Sequence, residues 1–236
     1  TAQTTPLDGN YAPGCCWSPS LGLFLVACGN FSGESLMTSP DGVNWTAQSS
    51  PLDNKLANDV AWSESLGLFV AVGEGGPTSY LITSPDGVVW TVQVTPWGAG
   101  ATSVGYGITW CPVSGVFLAV GFDATAAAFE LIRSTDGINW TQVTFPFMDI
   151  DGNARFAEKP DGTILSGRVL SGSSVGFSTD AGLSFEQNFI PVEPLDIANG
   201  GSFDSLYVGF SDNVLYPVGT IVTDDGPGPG KVVITS

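Results

Sequence analysis

The chain of 236 residues contains no histidine, and it has only 6 lysines and arginines against 23 aspartates and glutamates. The missing imidazole removes Ser-His-Asp and Cys-His chemistry and every His-based zinc site. The shortage of cations leaves a formal charge of -17. A phosphate backbone or an anionic bilayer surface needs a basic face, so nucleic acid is not expected as a partner. Long apolar runs are lacking as well. Stretches such as LGLFLVA at 21–27 are strand-sized. A membrane-spanning helix needs about 20 apolar residues, so membrane insertion is not expected either. Cysteine is scarce, with 4 residues at positions 15, 16, 28 and 111. That is too few for a disulfide framework in a chain of this length. Isolated buried thiols, one bridge from Cys28 to Cys15 or Cys16, and a metal or redox site stay open, though no CxxC spacing supports the last. No cofactor is expected. A mean hydropathy of +0.23 argues for a folded chain despite the large net charge.

What is present is repetition. SPDGVNWT at 39–46 returns as SPDGVVWT at 84–91, STDGINWT at 134–141 and, one residue longer, STDAGLSF at 178–185. A second element precedes the early copies: CWSPSLGLFLVACG from Cys16, AWSESLGLFVAVG from Ala61 and TWCPVSGVFLAVG from Thr109. A third is a proline followed by an apolar residue, at Pro6-Leu7, Pro51-Leu52, Pro96-Trp97, Pro146-Phe147 and Pro191-Val192. The period is about 45 residues, and five such corners imply five units.

Each unit reads as four short strands; in the second these are 59–63, 68–72, 80–83 and 88–94. Gly, Pro, Ser and Asp fill the gaps, and no long run has helical periodicity. Four-stranded units at this period are the signature of a propeller. The ends fit each other. TAQTTPLD at 1–8 matches TAQSSPLD at 46–53, which opens a fourth strand, and KVVITS at 231–236 matches the third strand YLITS at 80–84. The expectation is an all-β, five-bladed β-propeller forming a single domain over 1–236, with four antiparallel strands per blade. The N-terminal strand completes the C-terminal blade and closes the ring. The blades fall at about 9–50, 51–95, 96–145, 146–190, and 191–236 plus 1–8. Blade one holds one extra residue before Gly29, and a bulge is expected there.

The Ser-x-Asp-Gly-x-x-Trp pattern resembles the Asp-box, or BNR repeat. The acids are Asp41, Asp86, Asp136 and Asp180; the closing aromatics are Trp45, Trp90, Trp140 and Phe185. The physical role of these residues is local. The Asp accepts turn N–H groups, the Gly takes positive φ, and the aromatic packs between sheets. Sialidases carry the same repeat, and the resemblance to them implies a clamp of three arginines. Arg133, Arg155 and Arg168 stand at non-equivalent places in their blades, and an acidic protein repels an anionic sugar. No catalytic residue is assigned.

The repeats also resemble those of bacteriophage virion or tail propellers and of five-bladed propeller lectins. The first resemblance implies a non-enzymatic structural or adhesion module, in a virion or extracellular, whose partners are neighbouring virion proteins or cell-surface glycan. A free extracellular lectin and a glycoside hydrolase of the sialidase-like class are the alternatives. The proline corners lie on one rim. Their apolar residues are either architectural contacts or, at Trp97 and Phe147, platforms for sugar rings. Tyr11, Asp53, Asn54, Asp59, Tyr106 and Asp149 would then supply polar contacts. No metal site is assigned. Asp224 and Asp225, beside a Gly/Pro loop, are the weak candidates for a divalent cation.

Overall fold

The computed structural model describes residues 12–30, 33–74, 80–97, 103–144, 155–167, 174–189, 202–211 and 214–222. Among these residues every regular element is a strand. Sheet one contains β1 (Gly14–Ser18), β2 (Leu23–Ala27), β4 (Leu36–Ser39) and β5 (Thr46–Gln48) in that order. Sheet two contains β6 (Lys55–Ser63), β7 (Leu68–Gly73), β8 (Tyr80–Ser84) and β9 (Thr91–Val92), with the two-residue β3 (Gly29–Asn30) added beside β6. Sheet three runs β10 (Val104–Cys111), β11 (Val116–Asp123), β12 (Ala128–Ser134) and β13 (Thr141–Val143). Sheet four runs β14 (Arg155–Glu158), β15 (Ile164–Gly167), β16 (Ser174–Ser178) and β17 (Glu186–Phe189). A hairpin of β18 (Ser202–Ser211) and β19 (Val214–Val222) follows. All pairings are antiparallel. The strands that would seal the ring, at 1–8 and 231–236, lie outside the described residues.

The first strands of successive sheets pack side by side: β1 on β6, β6 on β10, β10 on β14. Three apolar layers fill the gaps between the sheets. Leu25 and Leu36 of sheet one meet Trp62, Phe69 and Ile82 of sheet two. Val70 and Leu81 of sheet two meet Ile108, Phe117 and Trp140 of sheet three. Leu118, Val120 and Leu131 of sheet three meet Phe156, Ile164 and Phe185 of sheet four. The second strands of sheets two and three are therefore buried on both faces. That is why LFVAVG and VFLAVGF read as continuous apolar runs, with no polar alternation.

The repeated turns are small hydrogen-bonded units. In the third, Asp136 Oδ1 accepts the Ile138 and Asn139 N–H groups at 2.8 and 2.7 Å, and Ser134 Oγ accepts the Gly137 N–H at 2.8 Å. The glycine sits at φ 74°, as only glycine does without strain. Trp140 Nε1 donates to the Gly137 carbonyl at 3.0 Å, so its ring folds back into the layer against sheet two. The same bonds recur around Asp41 and Asp86. The turn shortens the fourth strand of sheet two. Val88 and Val89, expected in that strand, give their N–H groups to Asp86 at 2.8 Å each, and β9 begins only at Thr91. Asn44 and Asn139 each donate a side-chain N–H to the turn carboxylate at 2.7 Å.

Asp136→Ala removes four contacts to the carboxylate at once, from the Ser134 hydroxyl, the Ile138 and Asn139 N–H groups and the Asn139 side chain. The expected loss is about 1–2 kcal/mol. A urea titration checks it: the midpoint falls and the m value stays constant. An unchanged midpoint would mean that the turn is held by its aromatic alone.

The extra residue of blade one does not form a simple bulge. The strand leaves sheet one after Ala27, and its continuation pairs with sheet two, Gly29 opposite Leu56 and Asn30 opposite Lys55. Cys28 bridges the two sheets, donating to the Ser35 carbonyl at 2.8 Å and accepting the Ala57 N–H at 3.2 Å. Glu74, just past the end of β7, repeats the crossing by pairing with Val104 of sheet three. Register shifts lie instead at Asn58 in β6, at Tyr106 in β10 and between Phe203 and Leu206 in β18. All four cysteines are free thiols.

Candidate functional site

The two turns of each sheet, first-to-second strand and third-to-fourth, share one rim. The opposite rim carries the connections between the second and third strands and between sheets. There the hairpin strands β11 and β12 are each two residues longer than β7 and β8. Asp123 tightens its turn by accepting the Thr125 and Ala126 N–H groups at 2.6 and 3.2 Å. Ser103 Oγ accepts the Ala124 N–H at 3.1 Å and ties the tip to the strand leading into sheet three.

Register determines what this hairpin presents. Glu74 pairs with Val104, Val104 with Phe122, and Phe122 with Phe129. Residues directly opposite one another share a face, so Glu74, Val104, Phe122 and Phe129 form one row across two sheets. The bulge at Tyr106 lets its ring reach the same face, because the extra residue is freed from the ladder. Its centroid lies 5.8 Å from Phe129 with the planes tilted by 41°; Phe122 and Phe129 are 5.2 Å apart at 65°, edge to face. Phe129 is 36 % exposed, and Tyr106, Phe122 and Glu74 are partly exposed. Burial raises the Tyr106 phenol pKa, and the Glu74 charge raises it further. The Glu74 carboxyl is itself pushed up by burial. The result is an aromatic corner with a carboxylate in the same row.

Only Tyr106 among the residues expected from the sequence belongs to this corner. Trp97 is not a platform. It is 3 % exposed and lies in the layer between sheets two and three, its ring so close to Gly121 that a Cβ there would come within 2.6 Å. Leu52 is buried in the preceding layer in the same way, so these two proline corners plug the core. Asp53 caps its own turn, accepting Ser49 Oγ at 2.7 Å and the Ser50 N–H at 3.0 Å. Asn54 sits at φ 62° and gives its backbone N–H to the Gly33 carbonyl at 2.7 Å. Tyr11, Phe147, Asp149, Asp224 and Asp225 lie outside the described residues.

Asp59 has a different place. It follows the Asn58 bulge, and Asn58 Nδ2 hooks the Gly105 carbonyl of sheet three at 2.9 Å. Asp59 Oδ1 accepts the Val60 N–H at 2.9 Å, and Oδ2 accepts the Ile108 N–H of sheet three at 3.1 Å. A Cβ at Gly14 of sheet one would collide with the carboxylate, so glycine is required there. Burial raises the Asp59 pKa to about 6, against the pull of the Ile108 N–H, the Arg155 charge and the Val60 N–H. First strands of four sheets thus converge on one carboxylate. Arg133, considered for a sugar clamp, is spent elsewhere: its Nε donates to the Ala181 carbonyl of the fourth turn at 2.7 Å.

No family model matches the chain, and no curated protein does. Solved structures do. A GH74 enzyme of Niastella koreensis superposes with a TM-score of 0.56 at 18 % identity over 95 % of this chain. YCF48 of Cyanidioschyzon merolae gives 0.56 at 11 % over 94 %, and a chain of a nidogen/laminin complex gives 0.57 at 11 % over 90 %. The fold is a β-propeller. Its first strands pack side by side from sheet to sheet, which sets Asp59 among them and the aromatic corner at one rim of the described sheets. The chain spans 30 % of the length of the GH74 enzyme, 70 % of YCF48 and 74 % of the nidogen/laminin chain. The neighbours include a glycoside hydrolase and proteins of other kinds, so the propeller alone does not decide between catalysis and binding.

The sequence reading missed Glu74, Phe122 and Phe129. A signal was there: GFDATAAAFE at 121–130 sets two phenylalanines seven residues apart around an Asp-led turn, which a hairpin brings face to face.

Proposed function

We propose that this propeller is a non-catalytic adhesion module, carried on a virion or tail, that binds cell-surface glycan at the Tyr106–Phe122–Phe129 corner. The observation that carries the reading is the row itself: three partly exposed rings beside a carboxylate, on a rim where the other described candidates, Asp53, Asn54 and Trp97, are turn caps and a core plug. Sugar rings take aromatic faces on one side and carboxylate acceptors on the other. The turn rim supports attachment to a neighbouring virion protein. Leu21, Leu66, Val113, Val88, Ile138 and Leu183 are all exposed at turns on that side. The repeated turns resemble those of bacteriophage propellers, and the acidic surface suits a displayed module.

A hydrolase reading has one observation in its favour, a carboxyl among the first strands that titrates at about 6. Against it, both Asp59 oxygens already hold backbone N–H groups, and the charge acting on the carboxyl is that of Arg155. A retaining or inverting pair needs a second carboxyl about 5–10 Å away.

A glycan array paired with an assay for newly released reducing ends tests both. The expected result is binding without release. Phe129→Ala and Tyr106→Ala each weaken the bound glycan by about tenfold, roughly 1.4 kcal/mol. Release of reducing ends that Asp59→Asn abolishes would overturn the proposal in favour of the hydrolase.

A further inference from the structure

We infer that the ligand class of the aromatic corner is a glycan bearing free, protonated amino groups, an oligomer of glucosamine rather than of its N-acetylated counterpart. The inference rests on the reading of the corner as a glycan site. Three observations carry it. First, the rings do not form a flat shelf. Tyr106 is tilted by 41° from Phe129, and Phe122 meets Phe129 at 65°. A flat pyranose face stacks best on one open ring. The open face of Phe129, 36 % exposed with Tyr106 at 5.8 Å and Phe122 at 5.2 Å, offers its negative π-cloud to a compact cation more readily than a tilted cluster offers a platform to a flat sugar.

Second, the row contains an acid at its end. Glu74 stands in register with Phe122 and Phe129 through Val104, and its charge is felt at the Tyr106 phenol. A partly enclosed carboxylate beside aromatic rings is stabilised by an ammonium group and gains little from a hydroxyl. Third, the protein's own cations are engaged away from this corner where their contacts are known: Arg133 at the Ala181 carbonyl, Lys159 with Asp161 at 2.9 Å, and Arg155 acting on Asp59. The surrounding charge of -17 draws cations toward the surface and repels sulfated or sialylated sugars.

The test is calorimetric titration of the full chain with glucosamine hexamer and with N-acetylglucosamine hexamer, at pH 5.5 and low salt. The expected result is about tenfold tighter binding of the free-amine hexamer, a preference that shrinks at about 0.5 M salt. Glu74→Gln is expected to reduce the preference to about twofold while the weaker binding of the acetylated hexamer stays. Phe129→Leu, which keeps the apolar fill, is expected to weaken both hexamers. Equal affinities, tighter binding of the acetylated hexamer, or a Glu74→Gln protein with its preference intact would overturn the amine assignment. Binding of the acetylated hexamer alone would leave the glycan site standing. Binding of neither hexamer, nor of any glycan on the array, would remove both.

Discussion

Phe117→Ala is expected to lower the stability of the protein by about 3–5 kcal/mol, the cost of emptying a fully enclosed aromatic site. Phe117 is 0 % exposed. It lies against Trp110 of its own sheet at 4.6 Å and Trp140 of its own turn at 6.3 Å, within the layer shared with sheet two. Gly137, at the heart of the third turn, has its Cβ direction 3.5 Å from the same ring. The side chain therefore braces strand, turn and neighbouring sheet together, and none of them can relax into the cavity without moving the others. The repeat offers an internal control. Phe24 stands at the equivalent position of sheet one and stacks on Trp17 at 4.3 Å, as Phe117 stacks on Trp110, but it is 36 % exposed. Phe24→Ala is expected to cost about 1 kcal/mol. Urea unfolding of the two variants under the same buffer decides the matter. Equal losses would mean that the aromatic pair within each sheet, and not the layer between sheets, dominates.

The architecture was legible because propeller repeats encode the same physical problem several times. The second strands at 68–73 and 116–121 bury both faces and so share one apolar pattern. Every return between third and fourth strands uses the same acid, glycine and aromatic. Asp41, Asp86, Asp136 and Asp180 were therefore found from spacing alone. Strand ends were less legible. Val88 and Val89 have strong strand character, yet the Asp86 carboxylate takes their N–H groups, and hydrogen bonding overrides propensity. The corner on the rim was harder still. It depends on a one-residue bulge at Tyr106 and on a sheet crossing at Glu74, both set by pairing between distant segments. Trp97 misled for a related reason. A tryptophan after a proline in a polar connection has the composition of an exposed platform. Only the glycine opposite, Gly121, tells that the ring turns inward, and the two are distant in sequence.

The second large effect concerns pH. Stability is expected to peak near pH 4 and to fall by about 3 kcal/mol between pH 4 and pH 8 through Asp59 alone. This carboxyl titrates at about 6 in the folded protein against an ordinary 3.8. As pH rises past 3.8 the unfolded chain loses the proton first, so the folded state binds more protons and ∂ΔG/∂pH is negative. The contribution is fully present below 3.8 and gone above about 6, and at ~1.4 kcal/mol per pKa unit the span amounts to the figure given. The repeated turns act in the opposite sense. Burial pulls the Asp136 carboxyl up, but the Asn139 side chain and the backbone N–H groups outweigh it and hold it at about 2. At Asp180, burial is likewise outweighed, by the Ser184 hydroxyl and N–H, and the carboxyl also titrates at about 2. Their contribution is present above 3.8 and is lost as pH falls toward 2. The two slopes cross near pH 4. Asp59→Asn keeps one acceptor for the Val60 or Ile108 N–H and cannot ionise, so it carries a fixed cost without the slope. Urea unfolding of both proteins from pH 3 to pH 8 gives the decisive comparison. The parent curve should descend through pH 5 more steeply than the variant, which keeps the slope of Glu74 and Glu130, and their difference should shrink by about 3 kcal/mol over that interval. Parallel curves would show that Asp59 is solvated in the folded protein and that the four first strands do not close around it.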